Sequence, residues 1–324
     1  MHPYSRRTFL AGLASLSVAP RIGFAQGAPL RIVYPFPAGG SADAVARLLA
    51  DNLHKAYGLS VLVDNKTGAG GAIGAQAVKK AAADGNTLLL AAAAQITLQP
   101  HLVADLGYDP FADFVPVAQI MTFDPALAIN GQIPATSLET LAAWIKAAPE
   151  RGNFGTPGEG TGPHLAGLVF GRKFGLTLSH VPYRGTPAAL PDLISGRLPM
   201  FLASTPELIT NHRRGEIRIV ATLGEARLPS LPDIPTFKEA GVDIYVPGWF
   251  GLYAPAGTPR DRIAQLGTYM TESMKVPAIR SLAESLGFQV SGIGGAELAR
   301  VQREQFERWG AVVKTLGMKM RPSQ

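Results

Sequence analysis

The chain has 324 residues, of which 47% are hydrophobic and 17% are charged, and its formal net charge is +6. This composition is that of a globular protein, and the length favours two domains over one. The sequence has no cysteine, which excludes disulfides and thiol chemistry, and the mild positive charge without a Lys/Arg stripe argues against nucleic-acid binding.

Residues 1–25 have the features of an export signal. The paired arginines Arg6 and Arg7 precede an apolar run that is too short to span a bilayer. Gly23 and Ala25 put small residues at the two positions that a signal peptidase inspects. We therefore predict a twin-arginine-like signal peptide that is cleaved after residue 25, and a periplasmic location for the mature protein.

The first folded unit is an apolar stretch, residues 30–34, that turns through Gly39 and Gly40 into a helical pattern. Ser41 has a suitable side chain for a helix N-cap, and Asp43 falls in the first helical turn. Unpaired N–H groups and the helix dipole at such a turn favour an anion. We interpret this turn as a candidate anion site, although an ordinary strand-to-helix turn has the same appearance.

Strands alternate with helices along most of the chain, which indicates α/β domains with mostly parallel sheets. Further strands are expected at residues 60–63, 87–92, 117–121, 126–129, 178–183, 198–202, 217–223 and 249–254. Three helices, with at most a short strand between them, are expected at residues 259–274, 277–286 and 297–316. Because these helices follow the last clear strand, we expect them to cover an earlier sheet, so that the first domain is discontinuous.

A second glycine-rich loop, residues 154–164, follows a short strand and opens a helix with Pro163 at the favoured first position. Four glycines and two hydroxyl residues before a helix start form a backbone nest that suits an anion. A solvent-exposed connection is the competing interpretation. Gly68 and Gly70 start a further glycine-rich turn, but Ile73 replaces the third glycine of a dinucleotide fingerprint, so we do not predict nucleotide binding.

Neither a metal site nor a set of catalytic residues is apparent. The six histidines do not pair at helical spacing, and no Gly-x-Ser-x-Gly motif occurs. Thr161 and His164 are close enough in sequence for a hydroxyl–imidazole pair, but an oriented base and an oxyanion hole are also needed. We therefore expect no metal, no cofactor and no enzyme activity, and a hydrolase that uses Thr161 and His164 stays open as an alternative.

Several blocks of sequence, in the same order, resemble the receptors of tripartite tricarboxylate transporters, the Bug or TctC family. The resemblance covers essentially the whole chain after the signal peptide. The blocks that carry it are residues 35–43, 65–71, 113–117, 158–167, 180–185, 231–236 and 249–252.

The resemblance implies an α/β, two-lobed clamshell of the type II periplasmic-binding class. Residues 26–127 together with 252–324 would form one lobe, and residues 128–251 would form the other. It implies a monomeric extracytoplasmic receptor that holds a small carboxylate in the cleft and delivers it to the membrane components of the transporter. A ligand sensor for a different membrane partner is a further alternative.

The resemblance also implies a set of ligand-binding residues. They are Phe36, Ala38, Gly39, Asp43, Ala93, Thr156, Gly160, Thr161, His164, Tyr183, Arg184, Gly185 and Ser204. The chain departs from the family pattern at Arg184, where lysine is usual, at residues 91–94, where hydroxyl residues are usual, and at Ala203 and Ser204, where an acidic or amide residue is often found. Because polar partners are lost, we expect a carboxylate with an apolar or aromatic body, docked on the N–H groups of the Ala38–Gly39 turn.

Overall fold

The computed structural model describes residues 28–316, which form two β-sheets with helices packed on them. The predicted signal peptide lies outside the described residues. The strands in this range are β1 Leu30–Tyr34, β2 Val61–Asn65, β3 Thr87–Ala92, β4 Phe114–Phe123, β5 Pro125–Asn130, β6 Asn153–Thr156, β7 Ser179–Pro182, β8 Met200–Ser204, β9 Ile217–Thr222, β10 Gly248–Pro255 and β11 Gln289–Gly294.

The described residues form eleven α-helices. They are α1 Ser41–Tyr57, α2 Ala72–Lys79, α3 Ala93–Thr97, α4 Gln99–Leu102, α5 Leu138–Lys146, α6 Gly162–Phe174, α7 Thr186–Ser195, α8 Thr205–Arg213, α9 Arg260–Ser273, α10 Pro277–Ser285 and α11 Gly295–Leu316. The short helices α3 and α4 were not predicted, because the run of alanines that opens α3 has no polar face to give a helical period. None of the helices between residues 28 and 316 combines the length and the apolar character needed to cross a bilayer.

Both sheets are mixed. The first has the strand order β11-β4-β10-β3-β1-β2, and the second has the order β7-β6-β8-β5-β9. Of the nine strand pairings in the described residues, four are parallel and five are antiparallel. The α/β architecture with mixed sheets is confirmed, but parallel pairing does not dominate, because every pairing of β4, β5 or β10 is antiparallel.

The main chain passes from the first sheet to the second through a single residue, Asp124, which separates β4 from β5. It returns through residues 223–247, between β9 and β10. We call the six-stranded sheet with its helices the first lobe and the five-stranded sheet with its helices the second lobe. The predicted boundaries at 127/128 and 251/252 fall inside β5 and β10, each of which lies whole in one sheet.

Helix α1 shows how local sequence positions the cleft. Val45, Leu49 and Leu53 recur at helical spacing and are buried against the first sheet. The helix ends at Gly58, whose left-handed backbone (φ 67°) places its N–H on the carbonyl of residue 54. The N-cap is Gly40 rather than the predicted Ser41, because the Ser41 hydroxyl donates instead to the carbonyl of a residue in α8 of the second lobe.

The three C-terminal helices pack on strands that precede them in the chain. Leu266 of α9 and Ile279 of α10 are buried in the core of the first lobe. Helix α11 belongs to two cores: Leu298 near its start is buried with first-lobe residues, whereas Trp309 and Val313 are buried in the core of the second lobe. The two lobes are therefore connected by a shared helix as well as by the two main-chain crossings.

We predict that Leu49→Ala lowers the free energy of unfolding by about 2–5 kcal/mol, because the side chain is 1% exposed and its removal leaves a cavity. The matched control is Leu62→Ala in β2, where the side chain is 53% exposed, and it should change stability by no more than about 0.5 kcal/mol. Urea unfolding followed by circular dichroism measures both. Equal losses in the two variants would contradict this assignment of the core.

Candidate functional site

A cleft between the two lobes is lined by side chains from both of them. The first lobe contributes Phe36, Ala42 and residues 92–95, and the second lobe contributes Ser204 and Glu207 along with other residues. Trp309 of the shared helix α11 also reaches this cleft. A ligand held here would contact both lobes at once.

The starts of five helices converge on this cleft. The lining includes Ala42 in the first turn of α1, Ala93 at the start of α3, Gly162 at the start of α6, Thr186 at the start of α7 and Ser204 at the N-cap of α8. The first N–H groups of a helix have no partner within the helix, and the helix dipole adds partial positive charge there. The cleft is therefore suited to an anion that is held by the main chain.

No lysine, arginine or histidine of residues 28–316 lines this cleft, so this part of the chain offers no cationic side chain there to bind an anion. One part of its wall is aromatic. Phe123 and Phe250 have ring centroids 5.2 Å apart, Phe288 packs edge-on against both, and Tyr34 lies 6.0 Å from Phe250. These rings line the cleft on the first-lobe side and offer contact area to an apolar ligand body.

The Ala38–Gly39 turn does not present its N–H groups as expected. The Gly39 N–H donates to Asp43 Oδ2 at 3.0 Å, and Arg47 and Asn65 bind the same carboxylate at 2.9–3.1 Å. Burial opposes ionisation of Asp43, but the bonds from Arg47, Asn65 and Gly39 outweigh it and hold its pKa below the ordinary value. Asp43 is thus an internal anion that fixes the turn, and the Gly39 donor is not free for a ligand in this conformation.

Thr156 and two histidines form a buried network behind the second glycine-rich loop. The Thr156 hydroxyl lies 2.7 Å from His180 Nε2 and donates to the carbonyl of Gly158 at 2.9 Å. The imidazoles of His164 and His180 stack with centroids 3.9 Å apart. Burial lowers the pKa of His164 to about 4, and burial together with the neighbouring His164 lowers the pKa of His180 to about 3. Both rings are therefore neutral near pH 7.

In the described conformation the Thr161 hydroxyl and the His164 Nδ1 atom each have another hydrogen-bond partner. Thr161 Oγ1 donates to the Gly158 carbonyl at 2.8 Å, and it accepts from the main-chain N–H of His164 as a helix cap. His164 Nδ1 accepts from the Gly160 N–H at 3.3 Å. Among residues 28–316, no cluster of three His, Asp or Glu side chains could hold a metal ion.

Tyr183, Arg184 and Gly185 take different positions. The Tyr183 hydroxyl donates to Asp192 Oδ2 at 2.9 Å, and Arg184 is exposed beside a smaller crevice. Gly185 alone of the three lines the main cleft. The arginine that could have met a carboxylate therefore does not reach the lining of this cleft.

Five of the expected binding residues line the cleft, namely Phe36, Ala93, Thr161, Gly185 and Ser204. The others do not line it in the described conformation, namely Ala38, Gly39, Asp43, Thr156, Gly160, His164, Tyr183 and Arg184. Sequence reasoning missed Gln95, Thr186, Glu207 and the aromatic wall. The sequence offered a clue to Thr186 and Glu207. Each lies in the first turn of a helix that directly follows an expected binding residue, Gly185 before α7 and Ser204 before α8.

The lobes contact each other directly around the cleft. The Ser41 hydroxyl donates to the carbonyl of Pro206 at 2.9 Å, which joins α1 to α8. Elsewhere glycines allow close approach: a Cβ at Gly185 would lie 2.7 Å from Pro37, and a Cβ at Gly70 would lie 2.6 Å from the carbonyl oxygen of Glu159. The described conformation is therefore a closed one.

A family model described as a tripartite tricarboxylate transporter family receptor matches residues 45–318 of the chain. The chain belongs to this family. Protein BugT of Bordetella pertussis is 31% identical over 295 residues, which cover 90% of each chain. Among solved structures, R. palustris Rpa4515 with adipate has a TM-score of 0.85 and 30% identity over 90% of this chain and 98% of that one. MatC from Rhodopseudomonas palustris with bound malate has a TM-score of 0.83 and 29% identity, covering 88% and 98%.

We predict that the stability of this receptor depends on pH through the histidine pair. Between pH 6.5 and about 4 the unfolded chain binds protons that the folded pair does not, so stability is fully present above pH 6.5 and falls on acidification. Each imidazole contributes on the order of 1.4 kcal/mol per pH unit in this window. Urea unfolding between pH 7 and pH 4.5 measures the loss.

The variant His164→Gln/His180→Gln should lose less stability than the wild type over the same pH range, because the titrating groups are gone. His54→Gln is the matched control for replacing an imidazole, since His54 lies on the exposed surface of α1 and outside the buried network. A double variant with the wild-type profile would show that other groups cause the acid sensitivity.

Proposed function

We propose that this protein is an extracytoplasmic receptor that captures a small carboxylate in the interlobe cleft and delivers it to the membrane components of a tripartite tricarboxylate transporter. The observation that carries the proposal is the convergence of five helix starts on a cleft without cationic side chains. Family membership supports the transport role, and the adipate and malate in the related structures support a carboxylate as the ligand. The predicted N-terminal export signal supports a periplasmic location, and we propose that the mature receptor acts as a monomer.

Hydrogen bonds from the main chain can supply enough binding free energy for a receptor of micromolar affinity. Each hydrogen bond to a charged group contributes roughly 1.5–3 kcal/mol, so four such bonds give on the order of 6–12 kcal/mol before the costs of binding. Micromolar affinity requires about 8 kcal/mol. Backbone donors can therefore bind a carboxylate without an arginine or lysine, and the aromatic wall adds apolar contact for the ligand body.

Binding is coupled to closure of the lobes in this proposal. The cleft is lined from both sheets, and the donors of α1 lie on the opposite side from those of α6, α7 and α8. A ligand that contacts both sets favours the closed conformation by its differential affinity for it. The hinge consists of the crossing at Asp124 and the return through residues 223–247.

A thermal-shift panel of carboxylic acids tests the proposal. A bound acid at about 100 times its Kd should stabilise the folded protein by about 2.7 kcal/mol. At this size the melting temperature should rise by roughly 2–4 °C per kcal/mol. We expect acids with an aromatic or apolar body, such as benzoate and its substituted derivatives, to raise it.

The control compounds are the amides of the same acids, which lack the negative charge and should have no effect. If citrate or glutamate raised the melting temperature while aromatic acids did not, the apolar ligand class would be wrong. If no acid raised it, the receptor would not bind carboxylates as proposed.

Gly185→Ala should weaken ligand binding by obstructing closure. The left-handed backbone at Gly185 (φ +93°) strains any other residue, and the added methyl group would lie 2.7 Å from Pro37 of the opposite lobe. Gly215→Ala is the matched control, because Gly215 has a similar φ of +74° but nothing within 4 Å of its Cβ position.

Both glycine variants should lose about 1 kcal/mol of stability from backbone strain. Only Gly185→Ala should raise the Kd of the acid that binds tightest in the panel, by about tenfold, when measured by calorimetry. Equal affinities in the two variants would show that this contact between the lobes is not needed for binding.

A further inference from the structure

Within the described part of the chain, Glu207 is the one carboxylate that lines the cleft, and no cationic side chain lines it beside Glu207. A negative charge in a site for anions needs a reason, because it repels the ligand that the site is built to hold. The position of Glu207 explains why a carboxylate is present in this cleft, and it indicates which class of ligand the receptor binds.

The Glu207 carboxylate lies where three helix starts meet. Glu207 itself is in the first turn of α8, and its Oε2 accepts from the hydroxyl of Thr186, the first residue of α7. Its other oxygen, Oε1, would lie 3.0 Å from a Cβ at Gly40, the N-cap of α1. Because Gly40 has no capping side chain, a carboxylate from the opposite lobe stands close to where such a side chain would be.

This arrangement already supplies an anion to the helix starts of α1, α7 and α8. Burial raises the pKa of Glu207 above its ordinary value, and the hydroxyls of Thr186 and Ser204 offset only part of that rise. The three positive helix ends also favour the ionised form. A ligand carboxylate at the same end would place a second negative charge in a partly buried site with no cation to offset it.

Another helix start in the cleft can still receive an anion. The start of α6, at Thr161 and Gly162, lines the cleft and has no carboxylate in its first turn. Gln95 also lines the cleft, and its amide Nε2 is a buried donor without a partner among residues 28–316. This nitrogen packs against Gly71, which is not among the lining residues, so a bridging water would connect it to a ligand carboxylate.

We propose that Glu207 makes this receptor selective for monocarboxylates whose far end carries a hydrogen-bond donor, such as an ammonium group, and selective against dicarboxylates. The inference rests on the proposed function, because it assigns the two ends of the same cleft to two ends of one ligand. Glu207 would then accept a hydrogen bond from the ligand, and it would repel an acid that carries a second carboxylate.

Two matched pairs of probes test this selectivity in the full mature chain. Adipate is compared with 6-aminohexanoate, and terephthalate is compared with 4-(aminomethyl)benzoate. In each pair one carboxylate is kept and the other is exchanged for an ammonium group on a chain or ring of similar length. We expect the wild-type receptor to bind the amino compound at least tenfold more tightly than the diacid in one pair or both, by calorimetry.

Glu207→Gln removes the charge but keeps the shape of the side chain. In this variant the ratio of the two dissociation constants should shift by at least tenfold toward the diacid, because the repulsion and the charged acceptor are both lost. Glu139→Gln is the control, since Glu139 is exposed on α5 away from the cleft, and it should keep the wild-type ratio. The wild-type comparison stands by itself if the Glu207 variant does not fold.

The outcomes separate this inference from the proposed function. If adipate and terephthalate both bind the wild-type receptor as tightly as their amino partners, the selectivity is wrong while carboxylate capture stands. An unchanged ratio in Glu207→Gln would show that another group discriminates between the ligands. If simple monocarboxylates bind but neither compound of a pair does, the donor requirement is wrong, and if no acid of any kind binds, the proposed function fails as well.

Discussion

Main-chain N–H groups at the starts of helices, together with their dipoles, are the interaction on which the rest of this receptor depends. These donors come from α1 and α3 on one lobe and from α6, α7 and α8 on the other, so the complete set exists only where the lobes meet. Between residues 28 and 316, no side-chain cation lines the cleft. The electrostatics of the site are therefore set by how the backbone is folded, and the side chains are left to determine shape and selectivity.

The loops that carry these donors are held by networks of their own. Asp43 binds the Gly39 turn with help from Arg47 and Asn65, and on the other lobe Thr156 and the stacked His164 and His180 support the second glycine-rich loop. Within each network these side chains bind one another or the loop main chain. Asp43, Thr156 and His164, which the family resemblance associated with binding, thus also hold the loops in place.

Part of the fold and of the site could be predicted from the sequence. The features that could be predicted depend on residues close together in the chain, and those that could not depend on residues far apart. Helix α1 followed from the spacing of Val45, Leu49 and Leu53, which is a local pattern. The role of Ser41 did not follow, because its partner Pro206 is 165 residues away and in the other lobe. Glu207 was missed for the same reason. Its role in the cleft depends on its contacts with Gly40 and Thr186, which lie near it only in the folded protein.

The shared helix α11 has a mechanical consequence. Its first turns are fixed in one core through Leu298, and its later turns are fixed in the other through Trp309. Two lobes joined only by flexible chain segments could open widely. A helix whose two ends are buried in different lobes limits the opening to a small rotation about the middle of that helix. A membrane protein that distinguishes the loaded receptor from the empty one would then have to sense displacement at the edges farthest from that helix, where a small rotation moves the surface most.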